Sequence, residues 1–509
     1  MVGWACSSIA ARAQSQAPEG YVICENKSAG FRFFCPRGFK EIPVQPGDPV
    51  LLARYARALV DQKQTVGNVE IWVLSLPKKQ VVTPSTGDAA AEKAVASSSE
   101  EEARNEQLLA YTIEEFVEKR LPKLCVRSVQ QVVDKGRLFE EHVIEWKEHP
   151  PPVTARAWIA DSGSKRTGLF AVVPLTDAEE TDRQIRALRR GAFSFRLTES
   201  EKADVQSAEL LYRRHPEFKD APFRIERRRQ LVEGWKAVDT PNYLIVYHSR
   251  DTNLLNKVVR DIEAMRAFYE ELFPAVRTVE AVSVLRICRD RDEYLLYGGM
   301  PRTAGFWNFA TEELVMFDNA AGEGHGNEDS YIVLKHEAFH QYIHYSTGEL
   351  PPHSWFNEGF GDYFSGAVVF RNTGRIKEVE TNPWRLPRIQ QALADLKHVP
   401  LEKLVRAEQG EYYQNASLYY AQGWSFVFFL KECEVVARNP AWSRILPTYF
   451  ETLKSSYSTA VSGLGESPSL ADKGKAGEKA RAEALEAAFA GVDFKQLESA
   501  WAGYVSKLR

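Results

Sequence analysis

With 509 residues, 44% of them hydrophobic and 26% charged, the chain has an ordinary globular composition and is long enough for about two to four domains with sizeable cores. A formal net charge of -4, with no basic stripe, argues against a general nucleic-acid binder. There is no run of about 18 apolar residues, so no transmembrane helix is expected.

The chain opens with MVGWACSSIAARAQSQA, in which Ala11-Arg12-Ala13 precedes Gln14 like a signal-peptidase site. The apolar part before it is short and lacks a basic start. Residues 1–17 therefore read either as the remnant of a signal peptide or as a disordered terminus, and export to a periplasmic or extracellular place is the expectation. Cys24 and Cys35 flank ENKSAGFRFF, a hairpin signal with its turn near residues 27–30, where an exported protein is expected to form a disulfide. Cys125, Cys288 and Cys433 are isolated and read as buried thiols, and no CxxC pair points to a second metal.

Residues 18–198 read as one α/β, sandwich-like domain. β-Branched and aromatic runs predict strands at 30–34, 69–74, 138–146, 155–160 and 168–173, and helices are expected at 49–61, 113–121 and 177–192. Residues 78–107 are rich in Ala, Ser, Glu and Lys with almost no large apolar side chain, and read as a disordered insertion. Residues 455–480 read as a second, flexible insertion. The opening GFRFFCPRGFKEIP, the later strand pair and the final helix ending in AFSFRL are similar to the PsbP-like fold, named for a photosystem extrinsic subunit. That resemblance carries no catalytic motif. It implies either recognition of a substrate or envelope partner or a structural appendage.

Residues 199–239, with ERRRQ inside them, read as a charged helical connector whose basic cluster is a solvated face. A second unit, 240–509, begins with a strand at 243–247. Apolar residues at 255, 258, 259, 262, 265, 269 and 272 then form a helical stripe. A strand at 282–288, a helix through 297 and a hairpin at 305–309 and 314–317 follow. Further helices are expected at 389–396, 401–405 and 415–431.

The informative stretch runs from Tyr331 to Phe364 and contains HEAFH: His336, Glu337, Ala338, Phe339, His340. Four-residue spacing on a helix puts both imidazoles on one face, able to share a metal ion, with Glu337 in reach of a metal-bound water. Asp329 or Ser330 is expected to cap this helix, and Thr347-Gly348 to end it. A catalytic zinc site needs a third protein ligand and an open position. Glu358, in Trp355-Phe356-Asn357-Glu358-Gly359, is the natural candidate. Asp362, four residues on, is placed to accept the second ring N–H of a ligating histidine, expected to be His336. His344, one turn beyond His340, reads as an outer partner or a solvent-facing residue.

Here the chain resembles the gluzincin zinc metallopeptidases of the peptidase MA-like superfamily. Their HExxH helix is followed by a helix of W-x-x-E-G-x-A-x-Y or N-E-x-x-x-D type, matched by Trp355, Asn357, Glu358, Gly359, Asp362 and Tyr363. Gly361 stands where Ala is usual. Seventeen residues separate His340 from Glu358, close to the family spacing. A metzincin would need glycine and histidine at positions 343 and 346, which hold Ile343 and Ser346. The resemblance, closest to uncharacterised exported bacterial members, implies an α+β chain. A gluzincin-like catalytic domain, with a small mixed sheet, the HExxH helix and a mostly helical C-terminal part, follows the N-terminal domain. Gluzincins also place a Tyr or His on a later helix, aimed at the substrate carbonyl oxygen. Tyr420 lies 62 residues after Glu358, near the aminopeptidase-like spacing, and is the favoured candidate; Tyr419 is the competitor, and the alternative for either is a core aromatic with its hydroxyl satisfied.

Two functions follow. One is a zinc peptidase acting on peptides or proteins, with one Zn2+ per chain on His336, His340 and Glu358, Glu337 as general base, and Tyr420 at the oxyanion. In it, the strand at 314–317 is expected to pair with an extended substrate. The other is a non-catalytic envelope module in which zinc cross-links two helices and the N-terminal domain recruits a partner. The intact Glu337 favours the first, because a structural zinc needs no base.

Overall fold

Period-two alternation in the first half of the chain produces a seven-stranded antiparallel sheet. Its strands are β3 (Lys40–Ile42), β4 (Leu51–Asp61), β5 (Gln64–Pro77), β6 (Leu124–Asp134), β7 (Arg137–Trp146), β8 (Val153–Ser162) and β9 (Lys165–Pro174), in the order β3-β4-β5-β9-β8-β7-β6. The computed structural model describes residues 17–44, 48–61, 64–78, 108–148, 152–199, 205–232, 234–301, 303–308, 311–320, 326–370, 374–465 and 469–509. The leader-like residues 1–16 and residues 79–107 of the expected insertion lie outside the described residues. The chain divides into two units, Met1–Arg214 with Ile225–Gly234, and His215–Arg224 with Trp235–Arg509.

In the first unit both faces of the sheet are covered. Trp158 and Leu169 turn to one side and pack with Phe31 and Phe33 of β2 (Phe31–Pro36) and Leu188 of helix α2 (Ala178–Ser194). Their neighbours Ile159 and Phe170 turn to the other, against Ile113 and Phe116 of helix α1 (Ile113–Arg120). β2 forms a small sheet with β1 (Tyr21–Asn26) and β10 (Arg196–Leu197). Gly168 lets β8 and β9 meet: a Cβ there would lie 1.9 Å from the Trp158 carbonyl oxygen.

Three expectations fail in this unit. Residues 51–61 form β4, not a helix, because their pairing with β5 supplies every second side chain to the core and overrides a helix-compatible composition. β6 was not expected; it is an edge strand whose exposed, polar-rich run lacks a core signature. Cys24 and Cys35 are free thiols, diagonal neighbours offset by two residues along the strand pair, whose side chains touch without being bonded.

The stretch 199–239 is not one solvated connector. It holds helices α3 (Val205–Arg214) and α4 (Ala221–Arg229) and strand β11 (Lys236–Asp239), and both Arg224 and Arg227 are buried. Arg224 is fully enclosed in the second unit. Its guanidinium donates to Asp239 Oδ1 (2.8 Å) and to the carbonyls of Lys219 (2.6 Å), Tyr243 (2.8 Å), Thr240 (3.0 Å) and Pro241 (3.0 Å).

The second unit carries a mixed sheet in the order β11-β12-β13-β15-β14, from β12 (Tyr243–Tyr247), β13 (Ser283–Cys288), β14 (Gly305–Asn308) and β15 (Glu313–Phe317). The three central strands are parallel; β11 and β14 run antiparallel at the edges. β15 is therefore bonded on both sides, and the strand expected to accept a substrate at 314–317 is not available for pairing. The edge is β14.

Helix α5 (Thr252–Leu272) crosses from β12 to β13, and α6 (Arg291–Tyr297) follows β13. Ile245, Leu285, Ile287, Leu314 and Met316 turn from the sheet into a core shared with α5, α7 (Asn327–Ser346) and α8 (Ser354–Ser365). α7 starts after Gly326 without a side-chain cap, so Asp329 and Ser330 sit inside its first turn rather than at its cap. It ends at Thr347, where Gly348 turns left-handed (φ 71°) and the Glu349 N–H reaches back to the His344 carbonyl at 2.7 Å.

A two-stranded antiparallel sheet of β16 (Ala367–Val369) and β17 (Ile376–Val379) follows α8, and the described remainder is helical: α9 (Leu386–Ala394), α10 (Leu401–Arg406), α11 (Gln409–Gln414), α12 (Ala416–Glu432), α13 (Glu434–Arg438), α14 (Ile445–Ser462), α15 (Leu470–Ala488) and α16 (Phe494–Val505). The second expected insertion, 455–480, instead falls largely on α14 and α15. Ala476, Ala480 and Ala484 are buried along α15, and Ser469 caps it. Alanine with Lys and Glu is a strongly helix-forming composition, and small side chains let two helices pack closely. Among the described residues no helix is long and apolar enough to cross a membrane.

Candidate metal centre

The two halves of the site lie on α7 and α8, locked by interleaved aromatic rings. Phe339 of α7 meets Phe364 of α8 at 5.1 Å between centroids, and Phe273 meets Phe360 at 4.7 Å. This packing brings His336, His340 and Glu358 together, with all three ligand atoms within 4.8 Å of one another. The His340 and His336 Nε2 atoms are 2.9 Å apart, and Glu358 Oε2 lies 3.3 Å from the first ring of the pair on the helix, His336, and 3.4 Å from His340. A tetrahedral ion with ligands about 2.0–2.2 Å away has edges of about 3.3–3.6 Å. The three contacts are close to that triangle.

Each imidazole is held from behind. His336 Nδ1 lies 3.2 Å from Asp362 Oδ1, and His340 Nδ1 lies 3.1 Å from Asn357 Oδ1. Both oxygens are acceptors, which puts the ring protons on Nδ1 and turns both Nε2 lone pairs toward Glu358. Three acceptors thus converge on one point, a grouping that could hold a cation. The electrostatics agree. Burial pulls the His336 imidazolium down, but hydrogen bonds to Asp362 and Glu358 outweigh it and hold the group well above the usual histidine range. Burial likewise opposes a charged His340, and the Glu358 carboxylate outweighs it and raises that group too. Burial would raise Glu358, yet His340 and His336 draw it well below the usual carboxylate range. The pocket stabilises positive charge, for which a proton and a metal ion compete.

Glu337 is not part of the trio; its Oε2 accepts the Trp307 backbone N–H from edge strand β14 at 3.0 Å. Asp362 lies beside His336 Nδ1 and is also gripped by Arg385. Tyr420 stands beside Glu358, its phenol pushed up by burial and by that carboxylate. Tyr419 points elsewhere, donating to Glu411 Oε1 at 2.8 Å. His344 lies outside the trio, its ring 5.9 Å from that of Trp307. Sequence reasoning gave no role to Asn357, Trp307, Arg385 or Tyr413, whose hydroxyl donates to Glu358 Oε1 at 2.9 Å. Asn357 alone had a local signal, as a neighbour of Glu358 within the motif.

Gly361 explains itself here. A Cβ at this position would lie 2.7–2.9 Å from atoms of the His336 ring. Gly361→Ala is therefore expected to force the ring aside and to destabilise the protein by about 1–3 kcal/mol through overpacking. Thermal unfolding of the variant checks this; an unchanged midpoint would show that the ring has room.

No family model matches the chain, and no curated protein sequence does. On its N-terminal part the chain is weakly similar to the solution structure of cyanobacterial PsbP (CyanoP) from Synechocystis sp. PCC 6803, at 12% identity and a TM-score of 0.24, covering 36% of this chain and 95% of that one. A crystal structure from Bacteroides thetaiotaomicron VPI-5482 is similar at 12% identity and a TM-score of 0.15, covering 45% of this chain and 86% of that one. At these TM-scores neither likeness speaks to function.

Proposed function

We propose that this chain is a zinc-dependent peptidase of gluzincin type. The observation that carries the reading is the convergence of His336 Nε2, His340 Nε2 and Glu358 Oε2 at 2.9–3.4 Å, with both rings anchored through Nδ1. The donor set, two imidazoles and one carboxylate, suits catalytic zinc with a fourth position open. Bound there, zinc would supply Lewis-acid polarisation of a peptide carbonyl and of a water molecule.

The chain's own groups do the rest. Glu337, next to His336 on α7, accepts the water proton and delivers it to the leaving amine. The Trp307 N–H holds the Glu337 carboxylate, fixing the base relative to β14. The Tyr420 phenol, kept protonated by burial, donates to the oxygen on which negative charge develops. Tyr413 and Asp362 keep the trio in place, one at Glu358 and one at His336.

His340→Ala tests the ligand set. The variant is expected to lose most of the roughly one zinc per chain measured by metal analysis, because two ligands do not hold a structural geometry. Full zinc occupancy in His340→Ala would sink the assignment. A broad peptide-library digest with the zinc-loaded wild type tests the activity.

A further inference from the structure

Arg385 lies just ahead of α9, in a segment tied down by the buried Asn382, whose Oδ1 accepts the N–H groups of Trp384 (3.0 Å) and Arg385 (3.2 Å). Its guanidinium points back to α8. Nε donates to Asp362 Oδ2 at 2.7 Å, and Nη2 lies 3.4 Å from Asp362 Oδ1. The same Oδ1 faces His336 Nδ1 at 3.2 Å. The guanidinium carbon lies over the Tyr420 ring, 4.9 Å from its centroid, in cation–π range. One guanidinium thus touches the carboxylate behind a candidate metal ligand and the candidate oxyanion donor, from a position just ahead of α9 and 20 residues or more beyond either ligand helix in the chain.

We propose that Arg385 is a positioning residue for the metal centre, acting through Asp362 on His336. Asp362 is only 3% exposed, and its carboxylate has more acceptor capacity than one imidazole N–H can fill. Left with His336 alone, it could rotate. The two-point grip of Arg385 on Oδ2 and Oδ1 fixes the carboxylate plane, so that Oδ1 stays aimed at Nδ1 and Nε2 stays aimed at Glu358. Lysine could match the charge but not the fork, which makes the arginine specific. The proposal rests on the metal-binding reading given above.

The test is zinc affinity of the full chain, by competition with a chromophoric chelator, in the wild type, Arg385→Gln, Arg385→Lys, Asp362→Ala and the double variant Arg385→Gln/Asp362→Ala. Asp362→Ala is expected to weaken zinc binding about 10- to 100-fold, and Arg385→Gln about 10-fold, with Arg385→Lys between it and the wild type. The double variant is expected to bind no more weakly than Asp362→Ala, because the arginine has nothing left to act through. A role limited to holding the fold would instead give additive losses. Circular dichroism melts confirm that each variant is folded, and Arg385→Lys carries the comparison where Arg385→Gln does not fold. Wild-type affinity in folded Arg385→Gln and Arg385→Lys, or additive losses in the double variant, would overturn the proposal alone. A wild type that binds no zinc overturns the metal-site reading and this one with it.

Discussion

Glu337→Gln is expected to keep zinc and lose turnover, by about 10²–10⁴-fold. The amide has the size of the carboxylate but cannot take a proton from water. Zinc stays because Glu337 is outside the ligand trio; its Oε2 accepts the Trp307 N–H, which an amide oxygen can also accept. Metal analysis and peptide turnover, measured on the same preparation, separate three outcomes. Zinc retained with activity lost supports the peptidase. Activity undiminished in Glu337→Gln places the cleavage at another site or in a contaminant. A zinc-loaded wild type that cleaves no peptide, and is indistinguishable from the variant, leaves a non-catalytic zinc module as the better account.

Arg224→Met is expected to destabilise the second unit by about 3–5 kcal/mol, the typical cost of breaking a buried, fully hydrogen-bonded ion pair from one side. Arg224 is 0% exposed and ties five acceptors, among them the Asp239 carboxylate and the carbonyl of Tyr243 at the start of β12. Methionine fills the volume but leaves Asp239 and four carbonyls without this donor. Amide hydrogen exchange along β12 is the direct readout, since a two-unit chain need not unfold in one step. Unchanged protection at residues 243–247, with an unchanged melting midpoint, would refute the role.

Much of the site was legible because it is local. The four-residue spacing of His336 and His340 and the proximity of Glu337 follow from helix geometry, whatever the rest of the chain does. Glu358 and Asp362 share a helix at the same spacing, so one motif supplies both. The middles of β7, β8 and β9 were also legible, because their runs of β-branched, aromatic and other apolar residues favour strands whatever their partners. Where local signals were ambiguous the readings failed. LLARYARALV suits a helix by composition, and only the partner strand β5 makes it β4. The alanine-rich 455–480 looks unstructured by complexity, and only the groove of α14 against α15 gives its small side chains something to bury.

By itself, then, the sequence determined which side chains share a helical face, and so which residues can meet one metal ion. Tertiary structure decided everything that depends on segments far apart in the chain. Glu358 meets the histidines only because aromatic packing presses α8 onto α7, with Gly361 leaving room for the His336 ring. Trp307, Arg385 and Tyr413 reach Glu337, Asp362 and Glu358 from separations of 30, 23 and 55 residues. No periodicity links such positions, since each contact is set by where two independently folded elements pack, and hydrogen-bond geometry then selects the side chain that fits.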